Sequence, residues 1–181
     1  MSVEIEEKFL IYENSKEFAS KAFFDNFCTI DNLIYEAVEF GENIEQGYLD
    51  LKYSNEIINH LGIELKFKPC ELRVRKIEKN DSSEYFITFK SDGSITRNEK
   101  ELPISNFDYD SYFALTKGKR VLKHRLTKKI NGLNYEFDVY TDRDLIVCEV
   151  EVTEKKELEK IIPMGLDISA KKEYKNKNLA K

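Results

Sequence analysis

Several short runs in this chain place ionisable side chains at every second position. Glu4, Glu6 and Lys8 form one such run. Others are Arg73 with Arg75, Thr88 with Lys90, Arg97 with Glu99 and Glu101, Lys123 with Arg125, Glu136 with Asp138, and Glu149 with Glu151. Residues two apart on an extended strand share a face. The alternate positions are mostly apolar: Val3, Ile5 and Phe9; Leu72 and Val74; Ile87 and Phe89; Leu122 and Leu126; Phe137 and Val139; Cys148, Val150 and Val152. Each run therefore reads as a strand with one apolar and one charged face.

The signs are segregated by strand. Glu4/Glu6, Glu136/Asp138 and Glu149/Glu151 make an acidic set, and Arg73/Arg75, Lys90 and Lys123/Arg125 a basic one. If these faces look into one cavity, the chemistry is specific. Clustered carboxylates are hard oxygen donors suited to Mg²⁺ or Mn²⁺. Arginine forks match phosphate oxygens, so the basic set suits a short chain of phosphates such as a linear triphosphate. The competing reading is a half-buried antiparallel sheet with its charged face in water. Two features favour the cavity: nearly every polar strand position is fully charged, and the signs are sorted.

The elements that must position these residues follow from local patterns. Residues 3–10 alternate as a strand, and residues 15–27 are expected to be helical from a Ser15 cap. Residues 44–50 and 62–68 read as extended, and 55–60 as a short turn or helix. Two strands, 71–78 and 84–90, are joined by a turn at 79–83, and a second turn at 91–94 leads to a strand at 97–102. A helix is expected over 108–116. Strands over 120–129 and 133–140 flank Asn131-Gly132, a strong hairpin signal. A strand at 144–153, a helix at 154–162 stopped by Pro163, and a helical tail from Lys172 complete the chain. Many antiparallel strands with a few helices make an α+β domain, and the strand number suits a closed or nearly closed barrel.

Composition bounds the alternatives. With 181 residues, 41% hydrophobic and 35% charged, the chain reads as one charge-rich domain, residues 1–181. A net charge of −5 disfavours a general nucleic-acid binder. No run approaches a membrane span or a signal peptide, and Cys28, Cys70 and Cys148 form no CxxC pair, so a reduced, cytoplasmic protein is expected. Neither His60 nor His124 sits in a zinc-like cluster. There is no GxxxxGK[ST] phosphate loop and no nucleophilic serine or cysteine signature.

In its order of motifs the chain resembles the CYTH superfamily, the triphosphate tunnel metalloenzymes, and in particular their small bacterial tripolyphosphatases. The resemblance begins with Glu4-Ile5-Glu6-Glu7-Lys8, which looks like the family's ExExK signature. It continues through Ile44 to Leu49, Glu71-Leu72-Arg73-Val74-Arg75, Tyr85 to Ser91, Arg97 to Glu101, Arg120 to Arg125, Phe137-Asp138-Val139 and Val147 to Glu151, and ends in the tail Tyr174 to Ala180. It implies an eight-stranded antiparallel closed β-barrel, a tunnel with a charged interior and flanking helices. It implies metal-dependent hydrolysis of a linear triphosphate, most simply inorganic tripolyphosphate to pyrophosphate and phosphate. By the resemblance, Glu4, Glu6, Asp138, Glu149 and Glu151 hold Mg²⁺ or Mn²⁺. Arg73, Arg75, Lys90, Arg97, Lys123, Arg125 and Lys172 hold phosphates, and Lys8 with Tyr48 handles protons. Lys8 can act as a base only if basic neighbours lower its pKa, since adjacent carboxylates raise it. Glu99 and Glu101 match inward acidic positions that either bind metal or orient the cations.

The chain departs from the compact pattern in two long segments, 11–43 and 49–70, which could form a cover, a homodimer surface or a specificity wall. Phe24, Phe27, Tyr35 and Phe40 read as packing residues. Rival readings on the same tunnel are a class IV adenylate cyclase and a thiamine or nucleoside triphosphatase. A rival of another class is a non-catalytic polyphosphate- or nucleotide-binding module.

Overall fold

A computed structural model describes residues 2–92 and 96–180, excluding the side chains of 2–4, 96 and 97. The expected turn at Gly93-Ser94 and the side chains of Glu4 and Arg97 lie outside the described residues.

In chain order the elements are β1 (Ser2–Glu13), β2 (Lys16–Glu17), α1 (Lys21–Phe27), α2 (Ile30–Phe40), β3 (Glu42–Tyr48), α3 (Ser54–His60), β4 (Glu71–Lys79), β5 (Ser82–Lys90), β6 (Thr96–Pro103), α4 (Asn106–Ala114), β7 (Arg120–Ile130), β8 (Leu133–Tyr140), β9 (Leu145–Val152), β10 (Leu166–Asp167) and α5 (Asn176–Leu179). The strands form an antiparallel sheet in the order β1-β6-β5-β4-β3-β7-β8-β9, with the short β2 and β10 added to β1. The twelve-residue β1 serves two partners. Its start, Ser2–Ile5, pairs with β6, and Ile5–Glu13 pairs with β9.

Two hairpins set the register of the charged strands. Asn131 and Gly132 sit at φ 51° and 80°, as a two-residue turn between β7 and β8 requires. Asn80 and Asp81, at φ 48° and 63°, make an equally tight turn between β4 and β5. The expected five-residue turn at 79–83 is thus shortened, because Asx residues tolerate the left-handed conformation.

Apolar side chains point away from the charged face and are covered by helices. Ile5, Phe9, Phe137, Cys148 and Val150 pack with Phe23 and Phe27 of α1 and Leu33 and Ala37 of α2. The Phe27 and Phe137 rings meet edge-on at 4.7 Å. Leu72, Val74, Ile87 and Phe89 pack with Ile57 of α3 and Tyr109 of α4. The two long segments therefore cover the outer sides of the sheet, and burying apolar area there dominates their stability.

Local readings fail where tertiary contacts set the boundaries. Residues 15–27 are not one helix. Ser15 occupies a tight turn at φ 63°, β2 follows, and Ser20 caps α1 by accepting from Phe23 N at 3.3 Å. Thr29 then starts α2, accepting from Asn32 N at 3.1 Å. Residues 62–68 form no strand; Ile63, Leu65 and Phe67 lie as a strap against the α3–α4 core. Residues 155–160 are a 3₁₀ turn, and the tail is a 3₁₀ turn at Lys172–Tyr174 followed by α5. Phe27 packs as expected, but Tyr35 and Phe40 are 61% and 65% exposed and touch each other. No helix among the described residues is long and apolar enough to cross a membrane.

Candidate active site

The alternation of the strands turns their charged faces toward one another. Lys8, Arg73, Lys90, Lys123, Arg125, Asp138 and Glu149 are all buried. A cavity of about 210 Å³ is lined by Glu6, Lys8, Tyr48, Arg73, Arg75, Lys90, Arg125, Glu149 and Glu151, nine of the residues singled out from the sequence. The reading of a charged face in water is excluded for the buried Lys8, Arg73, Lys90, Arg125 and Glu149, whereas Glu151 is exposed.

Register explains the sorting of charge. Arg73 and Arg75 on β4 lie opposite Tyr48 and Gln46 on β3. Lys90 on β5 lies opposite Glu99 on β6, and Thr88 opposite Glu101. On the other side Glu6 faces Glu151 across β1 and β9, Lys8 faces Glu149, and Glu149 faces Glu136 across β9 and β8. One wall is therefore cationic and the other is carboxylate.

The cationic wall is held by its own acids. Glu99 pairs with Lys90 at 2.7 Å. Glu101 accepts from Arg73 Nη2 at 3.2 Å and from the Thr88 hydroxyl at 2.6 Å. Burial pushes the Glu101 carboxyl up, but Arg75, the Thr88 hydroxyl, Arg73 and Lys90 outweigh it and hold the group below its usual range. Both inward acids thus orient cations. Arg75 differs: among the described residues no carboxylate lies within ion-pair distance of it. The Nε atoms of Arg73 and Arg75 are both buried without a hydrogen-bond partner. Burial, then Arg73 and Arg125, bring the Arg75 pKa down to about 10. A buried, under-neutralised guanidinium beside a second one is a place for an anion.

The carboxylate wall is already engaged. Glu149 Oε1 lies 2.5 Å from Lys8 Nζ, and Glu149 Oε2 accepts from Arg125 Nη2 at 2.9 Å. Arg125 Nη1 also donates to Glu136 Oε2. Burial opposes ionisation of Glu149, yet Lys8, Lys123 and Arg125 hold it well below the ordinary carboxylate value. Glu136 is instead raised, by burial first, despite Arg125.

Two expected site residues sit behind this wall. Asp138 accepts a fork from Arg125, Nε to Oδ1 at 2.6 Å and Nη2 to Oδ2 at 2.7 Å, and also pairs with Lys123. Both Asp138 oxygens are taken by cations and neither residue lines the cavity. As placed, Asp138 anchors Arg125 and Lys123 and stands behind the residues that line the cavity. Burial and Arg125 push the Lys123 ammonium down to about 8 despite Asp138.

Carboxylates surround the Lys8 ammonium. Burial lowers its pKa, but Glu149, Glu6 and Asp138 outweigh burial and the net shift is upward. Its Nζ also donates to the Tyr174 carbonyl at 3.2 Å. Burial raises the Tyr48 phenol, and its oxygen accepts from Gln46 Nε2 at 3.0 Å. With these neighbours the pair is an ammonium and a neutral phenol at neutral pH.

The end of the chain supplies residues the sequence reading missed. Lys171, Lys175 and Lys177 line the cavity, whereas Lys172 does not. Tyr140 donates to Asn176 Oδ1 at 2.6 Å and Tyr174 donates to Glu13 Oε2 at 2.8 Å, which fixes the segment. The resemblance had marked the tail Tyr174 to Ala180 but not which of its lysines face the cavity, because an irregular segment has no period from which facing can be read. Glu71 was also missed as a cavity residue, and Glu136, grouped with the acidic set from its spacing, lines the cavity as well. The register of β1 and β6 places Glu4 opposite Arg97.

The donors Glu6, Glu136, Glu149 and Glu151 offer carboxylate oxygen alone, which fits a hard divalent cation such as Mg²⁺ or Mn²⁺. No three potential ligands among the described residues yet converge on one point. No family model matches the chain. A curated inorganic triphosphatase from Nitrosomonas europaea is 34% identical over 116 residues, covering 61% of this chain and 74% of that protein. A crystal structure of the inorganic triphosphatase NE1496 superposes with a TM-score of 0.55 at 26% identity, over 99% of this chain and 95% of that one. A second, described as the hypothetical protein NE1496, gives a TM-score of 0.53 at 27% identity, over 98% and 97%. By this relation, and by the order of its charged strands, the chain belongs to the inorganic triphosphatases of the CYTH superfamily.

Proposed function

We propose that the chain hydrolyses inorganic tripolyphosphate to pyrophosphate and phosphate, in a metal-dependent reaction inside a closed eight-stranded barrel. The pairing of β1 with both β6 and β9 supports the closed form. The observation that carries the function is the division of one buried cavity into a cationic wall around Arg73, Arg75 and Lys90 and a carboxylate wall around Glu6, Glu149 and Glu151.

In this reading Arg73, Arg75 and Lys90 bind the phosphate chain, and Lys8 and Arg125 reach it from the opposite side. Glu4, Glu6, Glu149 and Glu151, with Glu136, hold the cation. When bound, Mg²⁺ or Mn²⁺ supplies charge neutralisation on phosphate oxygens. A water oxygen attacks the terminal phosphorus while the bridging P–O bond breaks. The electron pair leaves with pyrophosphate, and both protons of the water depart on the released orthophosphate, as dihydrogen phosphate. Such a loose transition state asks for positioning and charge stabilisation more than for a strong base, in keeping with a protonated Lys8. The cations placed around the leaving group stabilise its developing charge.

Phosphate release from tripolyphosphate, ATP and thiamine triphosphate, each with Mg²⁺ and with Mn²⁺, tests the proposal. Preferred turnover of tripolyphosphate is expected. A cyclic nucleotide product from ATP would assign the cavity to cyclase chemistry, and tight anion binding without turnover in either metal would make it a binding module.

A further inference from the structure

The carboxylates placed to take a divalent cation already hold organic cations. Both oxygens of Glu149 are occupied, by Lys8 at 2.5 Å and Arg125 at 2.9 Å, and Glu136 is engaged by Arg125. Arg125 is bound asymmetrically. Its Nε edge is locked to Asp138 by the two-bond fork, in a buried pair strengthened by Lys123. The contacts that Arg125 makes to cavity carboxylates come from Nη1, which lies outside the Asp138 fork, and from Nη2, which belongs to it as well.

We propose that Arg125, together with Lys8, is the resident counter-ion of the carboxylate wall, and that a divalent cation binds by displacing these two groups from Glu136 and Glu149. The displaced guanidinium end stays tethered by Asp138 and so is presented to the anion instead of being lost to solvent. Cation and anion binding are then coupled. Each removes the obstacle to the other, since the carboxylates need a new partner when Arg125 turns to phosphate and Arg125 needs one when the carboxylates turn to metal. Linkage makes this coupling reciprocal. The metal alone binds weakly, because it must break charge-assisted contacts in a buried site. The proposal rests on the metal-dependent reading above.

The test is a titration of Mn²⁺ alone, with free Mn²⁺ followed by electron paramagnetic resonance, near neutral pH and at constant ionic strength. The proteins compared are the unmodified chain, Arg125→Gln, Lys8→Met and Arg75→Gln. Arg75→Gln removes one positive charge from the same cavity, but from a residue with no carboxylate at ion-pair distance among the described residues, and controls for the general field. Arg125→Gln is expected to bind Mn²⁺ about tenfold tighter than the unmodified chain, Lys8→Met likewise, and both tighter than Arg75→Gln. Circular dichroism verifies folding, and Lys8→Met carries the test if Arg125→Gln does not fold. Equal or weaker Mn²⁺ binding in the Arg125 and Lys8 variants than in Arg75→Gln overturns the displacement while leaving a metal site in place. No Mn²⁺ binding by any of the four proteins overturns the metal-dependent reading and this proposal with it.

Discussion

Replacing Arg75 by glutamine separates what this residue contributes to binding from what it costs the fold. Its guanidinium lies in the cavity wall beside Arg73, with Nε buried and unbonded. Burial and its cationic neighbours lower its pKa from 12.5 to about 10. At about 1.4 kcal/mol for each tenfold, the charged form is disfavoured by about 3 kcal/mol before any anion arrives. Glutamine removes that penalty but loses part of the packing of the arginine stem. A net stabilisation of about 1–2 kcal/mol is expected, which raises Tm by about 2–8 °C in a chain of this size. The effect on substrate has the opposite sign. One charge-assisted contact to phosphate is worth about 1.5–3 kcal/mol, so KM for tripolyphosphate rises about 10- to 150-fold. Thermal unfolding by circular dichroism and steady-state phosphate release measure the two quantities on one preparation. A variant that melts earlier and keeps its KM would show that Arg75 serves the fold and that the argument from its missing partner is wrong.

Two further outcomes follow from the ion pairs. Asp138→Asn leaves the buried Lys123 and Arg125 without their shared counter-charge and should cost about 3–5 kcal/mol in urea unfolding; intact stability with lost Mn²⁺ affinity would assign Asp138 to the metal instead. Glu149 has a folded-state pKa well below the ordinary 4.5. Its stabilising contribution is fully present above that unfolded value and is lost as pH falls below it, because the unfolded state then binds the proton first. Stability measured by urea unfolding should therefore drop on acidification below about pH 4.5, and Glu149→Gln should flatten that slope; an unchanged slope would place the acid sensitivity elsewhere.

The strands were legible because their information is local. A period of two marks both the strand and the two sets of residues that it separates, so Glu6, Lys8, Arg73, Arg75, Lys90, Glu149 and Glu151 could be grouped from spacing and then appeared in one cavity. Asn131-Gly132 marked its hairpin for the same reason, since the turn's φ values are a property of those two residues. The segments 11–43 and 62–68 were read less well. Their form depends on what they cover: Phe23, Phe27 and Leu33 are helical residues seated on the apolar side of the sheet, and Ile63, Leu65 and Phe67 are held by the α3–α4 core without a strand partner.

Sequence alone determined which residues carry charge, which share a face and in what order the charged strands run, because alternation follows from backbone geometry one strand at a time. It left open whether those faces point to water or to each other. Tertiary structure decided that, through the register that sets Lys90 against Glu99, Lys8 against Glu149 and Glu6 against Glu151. It also decided that Asp138 serves Arg125 and Lys123, and that Lys171, Lys175 and Lys177 close on the cavity while Lys172 does not. These outcomes depend on distances between residues far apart in the chain. Coulomb energy and desolvation act on such distances, and no pattern of neighbouring letters contains them.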